Sequence, residues 1–205
     1  MFAPPGRIWL GTVAIVLLVL VVLYAISHAL LILAPLVVVL VFFGLLLSFF
    51  RDPERTVAEG IVAAADGRVM VVKEEGSRIR IGTFMNVTNV HVNRSPAAGY
   101  LVRVDTREGP RAPAYSPEAT GNAQKRYLLG TPIGLVEVVQ ITGLIARRCV
   151  AYSRAGSPLR RGERFGMVLF GSRVDVVLPK DSVRVVVRVG TRVHAGSTTI
   201  AELVR

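Results

Sequence analysis

Three side chains could together do nucleophilic chemistry: Asp66 in Ala65-Asp66-Gly67, His91 in Asn89-Val90-His91-Val92-Asn93-Arg94, and Ser172 in Phe170-Gly171-Ser172-Arg173-Val174. A hydroxyl becomes a nucleophile when an imidazole takes its proton, and a carboxylate can hold that imidazole in the right tautomer. Such sets are defined by geometry and not by chain order. Taken singly, each residue has a plainer explanation. Asp-Gly is a strong hairpin-turn signal, Gly-Ser between two short apolar runs reads as a turn, and His91 could be a hydrogen-bonded core histidine.

Other chemistry has less to stand on. Cys149 is the single cysteine, so no internal disulfide forms, and its apolar neighbours suit a small buried hydrophobe. His28, His91 and His194 are too dispersed for a metal-binding spacing, so no metal is expected. Arg147/Arg148 and Arg160/Arg161/Arg164 could grip a phosphate, but a solvated basic face explains them equally well.

The elements that must position Asp66, His91 and Ser172 follow from an uneven composition. The chain has 205 residues, 52% hydrophobic, with a net charge of +11. These values exclude a disordered tail, a collagen-like repeat and a disulfide-stapled miniprotein. From Ile8 to Phe50, only Gly11, Thr12, Ser27, His28, Pro35, Gly44 and Ser48 fall outside the apolar set, and no charged residue intervenes. A spanning helix needs about 20 apolar residues. The run therefore predicts a transmembrane helical hairpin within residues 1–50, with helices Ile8–Ala25 and Leu30–Phe50 turning at Ser27 and His28. Arg7, Arg51 and Arg55 flank its outer ends while the turn has no Lys or Arg, which places both ends, and the rest of the chain, on the cytoplasmic side of the cell membrane. A cleaved signal peptide is disfavoured by the second apolar run.

Residues 51–205 hold nearly all the charge. Their scattered arginines lack interleaved aromatics, which argues against nucleic acid and for an anionic lipid surface, where each basic residue contributes about 1 kcal/mol. Short Val-rich runs recur between Gly, Pro, Asn and Asp: Val69–Lys73, Gly99–Val104, Leu135–Ile141, Leu144–Tyr152, Met167–Phe170, Val174–Leu178, Val183–Val189 and Thr199–Val204. This predicts a mainly β domain, a compact sandwich or barrel of many short strands. Val69–Lys73 and Val189–Ile200 suggest hairpins, and the Pro-, Gly-, Ala- and Ser-rich stretch Arg107–Thr131 reads as a long loop.

Four strings in order then carry a resemblance: Phe49-Phe50-Arg51-Asp52-Pro53-Glu54-Arg55; Ala64-Ala65-Asp66-Gly67-Arg68-Val69; Asn89-Val90-His91-Val92-Asn93-Arg94-Ser95-Pro96; and Gly162-Glu163-Arg164-Phe165-Gly166-Met167 leading to Phe170-Gly171-Ser172-Arg173-Val174-Asp175. Together, over roughly residues 49–180, they resemble the short form of phosphatidylserine decarboxylase. The preceding hairpin is similar to that of the short membrane-anchored members, including those assigned to archaetidylserine. Two departures stand out. Gly121-Asn122-Ala123-Gln124-Lys125-Arg126 replaces the Asn-Glu-Arg-Asn type of run, which puts the substrate mouth in doubt, and Phe-Gly-Ser replaces the Leu-Gly-Ser-Thr of the long form.

The resemblance implies an enzyme that cuts itself between Gly171 and Ser172. Ser172 Oγ, deprotonated by His91 with Asp66 orienting the imidazole, would attack the Gly171 carbonyl, and Ser172 would end as a pyruvoyl group, the implied cofactor. That group would take the amine of a serine-headgroup phospholipid as a Schiff base and decarboxylate it to the ethanolamine lipid, with His91 reprotonating the carbon. The fragments 1–171 and 172–205 would stay associated, and a homo-oligomer is possible. Two other readings remain open on the residues alone: a membrane-tethered β-barrel module without catalysis, and a pyruvoyl decarboxylase of a soluble amino acid, which should not need so long an anchor.

Overall fold

A computed structural model describes residues 1–110, 112–143, 149–169 and 172–204 and divides the chain into two units, Met1–Glu54 and Arg55–Arg205. The first is helical. Helix α1 (Gly6–Ser27) ends where His28 turns left-handed (φ 50°) and its N–H bonds the Tyr24 carbonyl. A 3-10 turn at Leu30–Ile32 leads into α2 (Leu33–Phe49). Pro35 is tolerated because it lies in the first turn of α2, where its missing N–H would have no intrahelical partner. The turn expected at Ser27 and His28 is therefore present. Both helical segments are long and apolar enough to cross a bilayer. At their base the Ala3 N–H donates to the Phe50 carbonyl at 2.9 Å, and a Cβ on Gly6 would stand 2.3 Å from the Phe50 ring, so only glycine lets the ends close this tightly.

The second unit is built of strands, in agreement with the mainly β expectation. In chain order they are β1 (Ile61–Val62), β2 (Gly67–Glu75), β3 (Arg78–Met85), β4 (Val92–Arg94), β5 (Gly99–Arg107), β6 (Gln124–Thr131) and β7 (Gly134–Thr142). There follow β8 (Cys149–Ala151), β9 (Pro158–Leu159), β10 (Arg164–Val168), β11 (Ser172–Pro179), β12 (Val183–Val185), β13 (Arg192–Val193) and β14 (Thr199–Leu203). One curled sheet of eight strands runs β13-β2-β3-β11-β7-β6-β5-β9, and two three-stranded sheets, β1-β14-β12 and β4-β10-β8, accompany it.

Strand β11 lies at the middle of the large sheet, antiparallel to β3 on one side and β7 on the other. Because side chains alternate across a strand, Ser172, Val174, Val176 and Leu178 share one face while Arg173, Asp175 and Val177 share the other. The first face joins the main core: Val174, Val176 and Leu178 pack with Ile79, Ile81, Val136, Val138, Tyr127 and Leu129. Both faces are covered, so β11 is buried from Ser172 to Leu178.

Several expectations change. The stretch Arg107–Thr131 is not loop throughout: residues 124–131 form β6, because Tyr127 and Leu129 enter the core while Arg126 points away from it. β3 reads Arg-Ile-Arg-Ile, an alternation too charged to stand out as a Val-rich run. Val189–Ile200 does not form a hairpin of its own, since β13 pairs with β2 while β14 pairs with β1 and β12. Only Val183–Val185 of the run Val183–Val189 is strand. Residues 144–148 and Phe170 of the expected strands lie outside the described residues.

Gly67 opens β2 at φ 149°, and a Cβ there would come within 1.9 Å of the Phe84 carbonyl oxygen. A Gly67→Ala chain is expected to lose roughly 2–4 kcal/mol of stability. Urea unfolding of the detergent-solubilised protein, followed by circular dichroism, measures this, and an unchanged midpoint would contradict it.

Candidate active site

Ser172 heads β11 and is fully buried, flanked in register by Met85 of β3 and Thr142 of β7. Its hydroxyl donates to the Met85 Sδ at 3.6 Å. The same sulfur receives the Asn93 Nδ2 at 3.8 Å. Met85 therefore brings together the head of β11 and strand β4, whose preceding residue but one to Asn93 is His91.

His91 is also fully buried. Its Nδ1 lies 2.9 Å from the Asn89 carbonyl oxygen. A carbonyl only accepts, so Nδ1 carries the proton and Nε2 keeps the lone pair, which is the tautomer a general base needs. Asn89 is itself held in a turn: its side-chain Oδ1 accepts the Asn86 N–H at 2.9 Å, and its own N–H donates to the Asn86 carbonyl at 3.1 Å.

Asp66 occupies a neighbouring segment. Residues 62–66 run beside 92–96, joined by Arg94 N–H to the Ala64 carbonyl at 2.9 Å and Val62 N–H to the Pro96 carbonyl at 3.0 Å. The carboxylate is held by several donors. Arg55 grips it bidentately, Nη1 to Oδ1 at 2.5 Å and Nη2 to Oδ2 at 2.7 Å, the Ala195 N–H donates to Oδ1 at 2.8 Å, and His194 Nδ1 lies 3.6 Å from Oδ2. The guanidinium fork matches a carboxylate better than a single imidazole N–H does. The Asn89 carbonyl is thus a partner that orients His91, and Asp66 is held in an Arg55–Asp66–His194 cluster. Burial pushes the Asp66 carboxyl upward, but the Arg55 guanidinium, the Ala195 N–H and His194 outweigh it and hold the carboxyl below its ordinary range.

A second buried feature reaches the same point from behind. Tyr127 OH donates to Gln140 Oε1 at 3.1 Å, and Gln140 Nε2 donates to Asn93 Oδ1 at 2.7 Å. Tyr127, Gln140, Asn93 and Met85 are all fully buried. With Asn93 Oδ1 occupied by Gln140, its Nδ2 is turned toward Met85 and the head of β11. Gly166 leaves room for this chain, since a Cβ there would lie 3.0 Å from Tyr127 OH and 3.1 Å from Gln140 Nε2. Sequence reading assigned no role to Tyr127 or Gln140, although a glutamine inside Val138-Val139-Gln140-Ile141 is a usable signal: a polar side chain in an apolar run must find a partner.

The remaining sequence candidates are dispersed. Gly171, Arg147 and Arg148 lie outside the described residues. Arg161 reaches the Gly60 carbonyl at 3.3 Å, and the Arg160 N–H is capped by Glu163 at 2.7 Å. Within the departing run Gly121–Arg126, Asn122 is buried and staples its loop, bonding both backbone groups of Ala112 and the Thr142 carbonyl. Cys149 in β8 is half-buried, and burial pushes its thiol up to about 11, which leaves it unreactive at neutral pH. Among the described residues no group of three His, Cys, Asp or Glu could hold a metal.

Removing Arg55 would leave the Asp66 carboxylate buried against its desolvation cost. Arg55→Ala is expected to lower stability at pH 7 by about 3 kcal/mol. The native Asp66 pKa lies below the unfolded value, so its contribution is complete above that value and is lost as pH falls through the folded one. In the variant burial raises the pKa, so the stability gap narrows toward pH 3. Unfolding midpoints of both chains from pH 7 to 3 test this, and a gap that stays constant would refute the pairing.

The phosphatidylserine decarboxylase family profile matches residues 42–201. Among similar proteins, the phosphatidylserine decarboxylase proenzyme of Streptomyces griseus is 41% identical over 157 residues, covering 76% of this chain and 73% of that relative. The proenzyme of Thermobifida fusca is 44% identical over 154 residues, 74% of this chain and 70% of the relative. That of Carboxydothermus hydrogenoformans is 38% identical over 176 residues, 80% and 83% respectively. The matched span includes Asp66, His91 and Ser172, and on this coverage the chain belongs to the phosphatidylserine decarboxylase family.

Proposed function

We propose that this protein is a self-processed decarboxylase that converts phosphatidylserine to the ethanolamine lipid, using a pyruvoyl group made from its own Ser172. The observations that support this reading are the fully buried Ser172 hydroxyl at the head of a central strand and a fully buried His91 whose Nε2 is the basic nitrogen, Met85 linking the head of that strand to Asn93 two residues beyond His91. A serine placed there is shielded from water, so its hydroxyl competes with no solvent nucleophile for the adjacent peptide bond.

In processing, His91 Nε2 takes the Ser172 Oγ proton as the oxygen attacks the Gly171 carbonyl carbon. The 171–172 C–N bond breaks, and the freed amine takes up the proton, leaving an ester. Loss of the Ser172 Cα proton and cleavage of the Cβ–O bond release the Gly171 carboxylate, and addition of one water with loss of ammonia completes the conversion. The Asn89 carbonyl holds the ring, and Asp66, fixed by Arg55, anchors the segment 62–66 that runs beside 92–96. Asn93 Nδ2, aimed by Gln140, offers a hydrogen bond at the head of β11.

The pyruvoyl group supplies the electron sink for the pair left when the substrate carboxylate departs. His91 returns a proton to the substrate carbon from Nε2, acting as general acid. Fragments 1–171 and 172–205 stay together because β11 pairs with β3 and β7, β13 with β2, and β14 with β1, each pair joining one fragment to the other. The hairpin of α1 and α2 crosses the membrane with both ends on the cytoplasmic side, which brings the enzyme to a two-chain lipid.

Intact mass spectrometry of the purified protein tests the reading. Two chains are expected, the smaller of 34 residues, 172–205, blocked to N-terminal sequencing and reactive toward a carbonyl reagent. Ser172→Ala stays whole, and His91→Ala slows cleavage by about 10²–10⁴-fold. A single uncut chain that decarboxylates phosphatidylserine would overturn the proposal, as would activity on free serine equal to that on dispersed lipid.

A mild test separates the buried amide chain from mere packing. Gln140→Glu is expected to lower the rate of processing about tenfold or more while Tyr127→Phe, which keeps Gln140 on Asn93, changes it little. Equal slowing by both would reduce the chain to a structural role.

A further inference from the structure

A cleft of about 500 Å³ opens on the face of the large sheet opposite Ser172. The opposition follows from strand alternation: Arg173 and Asp175 line the cleft, whereas Ser172 and Val174 point to the other side. Its floor is charged but balanced. Buried Arg173 grips Asp175 through Nε to Oδ1 at 2.6 Å and Nη2 to Oδ2 at 2.8 Å, and Arg80 joins Asp175 at 3.0 Å and Glu75 at 3.0 Å. Two guanidinium groups and two carboxylates therefore cancel.

The rim is not balanced. Lys73 of β2, Arg107 of β5 and Arg126 of β6 converge on the cleft from three strands. Arg126 pairs with Glu137 at 2.7 Å, but Lys73 and Arg107 have no ion-pair partner among the described residues. Lys73, which also feels the Glu75 carboxylate, and Arg107 are two exposed cations above a neutral ionic floor and make a local positive field that attracts an outside anion. Val71 and Ile141 add apolar wall, so the cleft suits an oxyanion attached to a small organic stem better than a bare halide.

We propose that this cleft is an anion site for a phosphate group, taken either from an anionic lipid headgroup or from a free phosphate, and distinct from the site at Ser172. Guanidinium and ammonium donors together satisfy several phosphate oxygens, the arginine bidentately. The cleft volume is that of a small-ligand site. Binding weakens with salt, because Lys73 and Arg107 are exposed.

The test uses the full-length protein in neutral detergent, titrated calorimetrically with inorganic phosphate, glycerol phosphate and short-chain phosphatidylglycerol. At least one probe is expected to bind saturably to the wild type and equally to the uncleaved Ser172→Ala chain. Lys73→Ala/Arg107→Ala should weaken that binding at least about tenfold, whereas Lys73→Arg/Arg107→Lys should retain it. Both side chains are exposed, so an unchanged melting temperature without ligand is the control for folding. Binding of the lipid probe alone assigns the site to a headgroup, and binding of the soluble phosphates assigns it to phosphate itself. No saturable binding of any probe, equal affinity in the alanine variant, or loss of binding in Ser172→Ala would overturn the proposal.

Discussion

The register of β11 is the constraint on which the rest of the second unit depends. Side chains alternate with a period of two, so a slip of one residue would carry Arg173 and Asp175 into the apolar core and expel Ser172 from it. The slip is resisted from both sides, because β3 pairs with β11 from Ser172 to Pro179 and β7 pairs with it from Ser172 to Val177. The apolar alternation of Val174, Val176 and Leu178 specifies one face, and the ion cluster specifies the other. Buried ion pairs add little net stability, since desolvation offsets their attraction. Their use here is positional: Arg80 of β3 reaches the Asp175 carboxylate, already held by Arg173 within β11, only when β3 and β11 are in this alignment.

That alignment is what places a serine hydroxyl, the proposed nucleophile, in an apolar interior. An unpartnered hydroxyl there would cost about 1–3 kcal/mol. Among the described residues Ser172 donates to the weak acceptor of Met85 sulfur, so its proton is held less firmly than a carbonyl acceptor would hold it. Asn93, by contrast, is tightly fixed through Gln140. A loosely bonded hydroxyl among rigid neighbours is a reasonable arrangement for a group that must change its bonding during reaction, because the surroundings need not reorganise with it.

Much of this was legible in the residues, and what was not has a physical reason. β7 and β11 are covered on both faces, so their Val-rich runs announce strands directly. β3 and β6 each give one face to charged groups, which dilutes the apolar signal. β6 was further disguised by the Gly- and Pro-rich segment that leads into it. The helical hairpin was legible because its helices carry almost no polar residues. In the site, His91 and Ser172 stood out through their flanking strings. Arg55 did not, since an arginine in an irregular segment shows no period, and its pairing with Asp66 depends on how the chain returns between Ala63 and Ala195. The Asn86–Asn89 turn that sets the His91 tautomer was equally hidden, being a matter of local hydrogen bonds and not of spacing.

The topology also bears on what cleavage can do. The proposed cut at the head of β11 would sever the chain just before a strand that is paired on both edges, by β3 and β7. The segment beyond residue 171 contributes the central strand β11 and the edge strand β13 to the large sheet and two strands, β12 and β14, to a small one. The pairing of β11 with β3 and β7 beyond its first residue would survive loss of the peptide link, so the new terminus would stay anchored along the strand while its first residue gains freedom. On a surface loop the same cut would release that residue to solvent. At the head of a buried strand, the same cut changes the chemistry of one residue and leaves its surroundings in place.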